Sequence, residues 1–114
     1  MHATAIEIAQ YIEVGLWFVG RGEVVESRHE FFTISFPPQA CVLGIALVGK
    51  ERSVEKALVR VVKERAKLAS DFARLLDCDP ALARRISGAH LMHSEGCPRK
   101  SAKEIAIALR DGTL

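Results

Sequence analysis

The sequence predicts a mainly α-helical single domain spanning residues 1–114: four to five helices bundled around one long central helix, with a small β-hairpin or extended arm near residues 16–36. Three observations lead to this expectation. Residues 53–76 carry an apolar seam at alternating steps of four and three, through Val54, Leu58, Val61, Leu68, Phe72 and Leu75. Two capping boxes, Thr4 with Glu7 and Ser101 with Glu104, mark helix starts near both ends of the chain. Alternating aromatic and polar residues occur only around 31–36.

The first helix opens at Thr4 and repeats Ala5, Ile8, Ala9 and Ile12 on one face, and Gly15 is its expected C-terminal cap. So short a helix is marginal alone and has to dock. Leu16, Trp17, Phe18 and Val19 are consecutive apolar residues followed by Gly20-Arg21-Gly22, which reads as a turn. Phe32, Ile34 and Phe36 alternate with Phe31, Thr33 and Ser35 until Pro37-Pro38 ends the segment. Residues 16–36 are therefore expected to form a hairpin or arm with a polar, exposed connection over residues 23–30. An isolated hairpin is unstable in water, so its aromatics need a helical face or a second subunit to cover them.

Residues 40–48 are nine consecutive apolar residues, which suit a buried strand or a buried helix equally by periodicity. A short helix is preferred, because Gly44 and Ala46 permit close approach to another helix. The long central helix starts at Ser53, with Glu55 in its first turn, and runs to about Asp77. Arg65 is the one charge within its seam, which requires the helix to turn outward there or to meet an acidic partner. Asp79-Pro80 restarts the chain as N-cap and first helical residue. That helix continues through Leu82, Ile86, Ala89 and Leu91 to about Ser94. The last helix, over Ile105, Ile107, Ala108 and Leu109, ends at Gly112.

Composition limits the classes of function. Apolar residues are 49% and charged residues 26%, as in folded globular chains. The longest apolar run falls short of the roughly 18–20 residues a membrane helix needs, and no secretory signal is expected. Three scattered cysteines make no disulfide framework, so a reduced, cytoplasmic protein with no cofactor is expected. Charge is uneven: residues 1–49 hold two basic and five acidic side chains, and residues 50–114 hold 14 and nine. Such asymmetry permits an acidic partner without requiring one.

Four chemistries can be weighed. Lys56, Arg60, Lys63, Lys67 and Arg74 form a basic stripe opposite the seam, suited to tracking a phosphate backbone. Expected i,i+4 pairs, Arg60 with Glu64 and Lys67 with Asp71, partly neutralise it, and no aromatic residue interleaves for base stacking. Ser101-Ala102-Lys103-Glu104-Ile105-Ala106 looks like the first helix of a helix-turn-helix, but a recognition helix is not expected in the few residues after Leu109. His90, His93 and Cys97 cluster at the end of the penultimate helix, with Cys78 before its start, and their spacing fits no standard zinc finger. No metal site is expected; His90 and His93 are read as half-exposed and Cys78 as a small buried hydrophobe. Cys41 has no acid–base partner placed by motif, and no phosphate loop or paired carboxylates are visible, so an enzyme is not expected.

Trp17 with Gly20, then Cys41-Val42-Leu43-Gly44-Ile45, a helix, and Ser101 through Leu109 form an ordered set. This set resembles small uncharacterised bacterial and phage-associated proteins whose second feature reads Cys-Ala-Leu-Gly-Ala. Here Val42 and Ile45 replace alanines, the loop over residues 21–39 is longer, and no tryptophan lies in the last helix. The resemblance implies no activity. The resulting expectation is a small non-enzymatic interaction factor, of the phage or prophage accessory kind, that binds a protein through Trp17, Phe18, Phe31 and Phe32 and covers them in a homodimer. The alternative is a nucleic-acid-binding regulator using the basic stripe.

Overall fold

The computed structural model describes residues 2–28, 31–91 and 99–114. Its elements in chain order are helix α1 (Ala5–Gly20), strands β1 (Val25–Glu26), β2 (Phe32–Thr33) and β3 (Gln39–Ala40), and helices α2 (Val42–Glu51), α3 (Val54–Glu64), α4 (Ala69–Leu76), α5 (Pro80–Leu91) and α6 (Ala102–Asp111). The protein is mainly helical with a small three-stranded sheet, as expected at that level. Among the described residues, no helix is long and apolar enough to cross a membrane.

The organising element is α2, not the helix expected over residues 53–77. Its residues Val42–Gly49 are all buried, and it packs against α1, α3, α4, α5 and β3. The apolar run is thus helical from Val42 onward, after Ala40 in β3 and Cys41 as the cap, because neighbours on every side, and not one amphipathic face, take its side chains. Glycines set the closest approach. A Cβ on Gly15 of α1 would lie 2.0 Å from the Ile45 carbonyl oxygen, and one on Gly49 of α2 would lie 1.7 Å from the Tyr11 oxygen. Gly15 therefore does not cap α1. It sits mid-helix so that two backbones can touch, and α1 continues to Gly20. Trp17 and Phe18 consequently belong to a helix and not to a hairpin.

The expected hairpin over residues 16–36 is replaced by a sheet of order β1-β3-β2. β1 runs parallel to β3, pairing Val25 with Gln39, and β2 runs antiparallel to it, pairing Phe32 with Ala40. β2 already ends at Thr33, and the third strand lies beyond Pro37-Pro38, so the sheet resumes after the prolines. Phe31 stacks on Phe72 of α4 with ring centroids 5.5 Å apart and planes inclined at 19°.

The seam through residues 53–76 is divided between α3 and α4. Arg65 adopts a left-handed conformation, φ 53°, and its N–H bonds to the carbonyls of Val61 and Val62. The next helix is started by Asp71, whose carboxylate accepts the N–H of Lys67 at 2.9 Å and of Leu68 at 3.0 Å. Asp71 is thus spent on a helix start, not on the side chain of Lys67, and Leu68 beside the break is 64% exposed. Arg65, the odd charge of the seam, is an exposed C-cap. Arg65→Gly is expected to hold or raise stability, because glycine adopts this conformation without a Cβ penalty. The same change inside a continuous helix costs about 1 kcal/mol, so a urea denaturation curve distinguishes the two structures.

The remaining elements begin as read. Thr4 and Glu7 exchange hydrogen bonds at 3.1 Å, and Ser101 and Glu104 form the second capping box. Asp79 accepts the N–H of Ala81 at 2.8 Å. α6 ends at Gly112, φ 73°, and Arg110 ties it to Glu13 of α1 at 2.7 Å. The expected continuation of α5 toward Ser94 lies outside the described residues.

Candidate functional site: an open apolar groove and a buried histidine network

Among the apolar side chains left outside when α1, α2 and α4 dock, several gather at each of two places. The larger lies between the loop after β2 and the start of α3. Ser53 caps α3 by accepting the N–H of Lys56 at 3.1 Å, which fixes Val54 and Leu58 one turn apart on the helix edge. Facing them are Ile34, 72% exposed, and Phe36, 104% exposed. Together these four side chains line an open groove whose far wall is Gly22-Glu23. A phenylalanine left wholly in water forgoes about 1.5–3 kcal/mol of burial.

The second place is the α1–α6 seam. Trp17 is 57% exposed and shares a shallow hollow with Leu16, Ala106 and Ile107. Arg21 stacks 4.6 Å over the Trp17 ring, and Phe18 meets it edge-on at 5.0 Å. Of the four aromatics expected at an interface, then, Trp17 faces outward. Phe18, Phe31 and Phe32 are partly buried and pack against the core. Ile34 and Phe36 alternate with Phe32 as in a strand with one covered face, a pattern that gives no sign of their exposure.

Chemically, the most distinctive group lies inside. His90 is completely buried. Its Nδ1 accepts the N–H of Val42, at the start of α2, at 3.4 Å. Its Nε2 therefore carries the proton and donates to Glu26 Oε2 at 2.9 Å. The same carboxylate oxygen accepts the N–H of Ala102, in the first turn of α6, at 3.1 Å. One carboxylate and one imidazole thus join β1, α2, α5 and α6, and each satisfies a helix N-terminus whose N–H groups lack intrahelical partners. His90 is buried and not half-exposed because it continues the inner face of α5 through Leu82 and Ile86. Glu26 belongs to the polar connection expected to be exposed, where no local signal pairs it with His90.

Hydrogen bonding from His90 holds the Glu26 carboxyl below its ordinary value of 4.5, against the opposing cost of burial, with the Ala102 N–H assisting. A depressed carboxylate stabilises the fold fully above the unfolded-state value and loses that contribution as pH falls through the folded-state value. Glu26→Gln is therefore expected to lower the urea midpoint most at pH above 4.5, with the gap from the parent narrowing as pH falls below it. A gap independent of pH across that window would contradict the network.

Cys41 sits beside this network as the N-cap of α2. Burial pushes its thiol up to about 11, against the N–H groups of Gly44 and Leu43 at the helix start. A buried, protonated thiol is a poor nucleophile. Cys78 is likewise buried, and its thiol is raised to about 11 by desolvation and by Asp79. The cluster of His90, His93 and Cys97 is reached only in part, since His93 and Cys97 lie outside the described residues. Both ring nitrogens of His90 are already engaged. Among the described residues, no group of three or more His, Cys, Asp or Glu is placed to hold a metal ion.

The break at Arg65 also divides the basic stripe. Lys56, Arg60 and Lys63 belong to α3, Arg74 belongs to α4, and Lys67 lies between them. Arg60 turns back to Glu51 Oε1 and the Leu75 carbonyl, each at 3.3 Å, instead of pairing with Glu64. Lys50 caps the same carbonyl at 2.9 Å and meets Asp77 at 3.0 Å. Arg74 lies 3.7 Å from Asp71, while Lys56, Lys63 and Lys67 remain exposed. Comparison with protein-family models, curated proteins and solved structures finds no match.

Proposed function

We propose that this protein is a small non-enzymatic interaction factor that docks on another protein through the groove formed by Ile34, Phe36, Val54 and Leu58. The observation that carries this reading is the complete exposure of Phe36 beside Ile34 on an apolar floor. The groove has the makeup of a docking site, an apolar centre with a polar rim, and an aromatic side chain of this kind is the usual energetic anchor of such a site. The Glu26–His90 network serves as the clasp that holds β1 to the starts of α2 and α6. The nucleic-acid reading draws less support, since the stripe is divided and Arg60 is engaged within the fold.

The test is Phe36→Ser together with Ile34→Ser. Neither side chain contributes to the core, so the melting temperature is expected to stay within about 2 °C of the parent. The partner that co-purifies from native cells is expected to be lost from both variants. Retention of that partner by both folded variants would refute the groove as its docking site.

A further inference from the structure

We infer that the occupant of the groove is an apolar segment of a different protein bearing a lysine or arginine; this inference rests on the docking role proposed above. The apolar part follows from Phe36, Ile34, Val54 and Leu58. The charge follows from the rim, where among the described residues the ionisable groups lining the groove are two carboxylates, Glu23 and Glu55. Glu23 is met by Arg21 at 3.2 Å. Among the described residues Glu55 makes no ion pair, although it stands at the edge of an apolar surface that a partner would dry. A carboxylate desolvated without a counter-charge weakens binding, whereas one met by a cation fixes register and partner choice. The partner must therefore supply a positive charge that reaches Glu55 beside the apolar side chain that fills the groove.

The same rim argues against a second copy of this chain. A two-fold symmetric contact lays the same patch of both copies together, which would set one acidic rim against the other. Like charges facing each other across an interface oppose association. A different protein is free of that constraint.

The experiment titrates the full-length protein with three synthetic helical peptides of one length. All share leucines at i, i+3 and i+4, and one flanking position is lysine, glutamine or glutamate. Binding is followed by calorimetry and by amide shifts of residues 34, 36, 54 and 58. The lysine peptide is expected to bind at least about tenfold more tightly than the glutamate peptide, with glutamine between them. Glu55→Gln is expected to shrink that difference to about threefold or less, and the combined Glu23→Gln, Glu55→Gln variant to abolish it. Phe36→Ser is expected to remove binding of all three. Equal binding of the three peptides, still dependent on Phe36, would overturn the charge inference and leave the docking role standing. Binding indifferent to Phe36, or no binding by any peptide, would overturn both. Concentration-dependent dimerisation abolished by Phe36→Ser would also overturn the inference, by assigning the groove to a second copy.

Discussion

Gly49→Ala is expected to prevent the chain from reaching its native packing. The added Cβ would lie 1.7 Å from the Tyr11 carbonyl oxygen and 2.9 Å from the Gly15 nitrogen, both backbone atoms of α1. No rotamer change relieves a clash with backbone, so α1 would have to move bodily off α2. Overpacking a core costs about 1–3 kcal/mol when side chains can yield; separating the two helices forfeits more, a large part of the about 5–15 kcal/mol stability of an ordinary domain. Gly15→Ala, with its Cβ 2.0 Å from the Ile45 oxygen, is expected to behave alike. Gly88 of α5 is the control, because nothing lies within 4 Å of its Cβ position. There alanine is expected to stabilise by about 0.5–1 kcal/mol through helix propensity. Circular dichroism with urea titration separates these outcomes, and a fully folded Gly49→Ala protein would contradict the α1–α2 contact.

Phe72→Ala is expected to cost about 3–5 kcal/mol. Phe72 is completely buried in α4 and stacks on Phe31, so its removal leaves a cavity between helix and sheet and takes away the support of β2. Lys63→Ala on exposed α3 is expected to change stability by less than about 0.5 kcal/mol. Equal, small effects at both positions would mean that α4 does not pack as described.

Local signals carried through to the structure wherever one short segment decides the outcome. The capping boxes at Thr4 and Ser101, the Asp79-Pro80 start and the end at Gly112 are backbone hydrogen bonding within a few residues. What depends on distant partners was less legible. Gly15 has the residue type of a helix cap, and only the presence of α2 makes it a contact glycine. Arg65 and Asp71 together break a helix that seam periodicity continues, because periodicity records side-chain faces and not the backbone N–H groups that Asp71 captures. Ile34 and Phe36 follow strand alternation, yet the ladder stops at Thr33 and leaves both in water. His90 was expected to be half-exposed, although it stands four residues after Ile86 on the inner face of α5; its partner Glu26, 64 residues away, carries no local signal at all. The groove shares this origin, since it forms only where the loop after β2 comes to lie beside Val54 and Leu58.

The central claim is that Phe36 is covered by another protein in the cell. Hydroxyl-radical footprinting reads this directly, by comparing oxidation of Phe36 in the purified protein with oxidation in native cell extract. The account predicts strong modification of Phe36 in the purified protein and marked protection in extract, with buried Phe72 unmodified in both. Equal modification of Phe36 in the two samples, at matched radical dose, would contradict it.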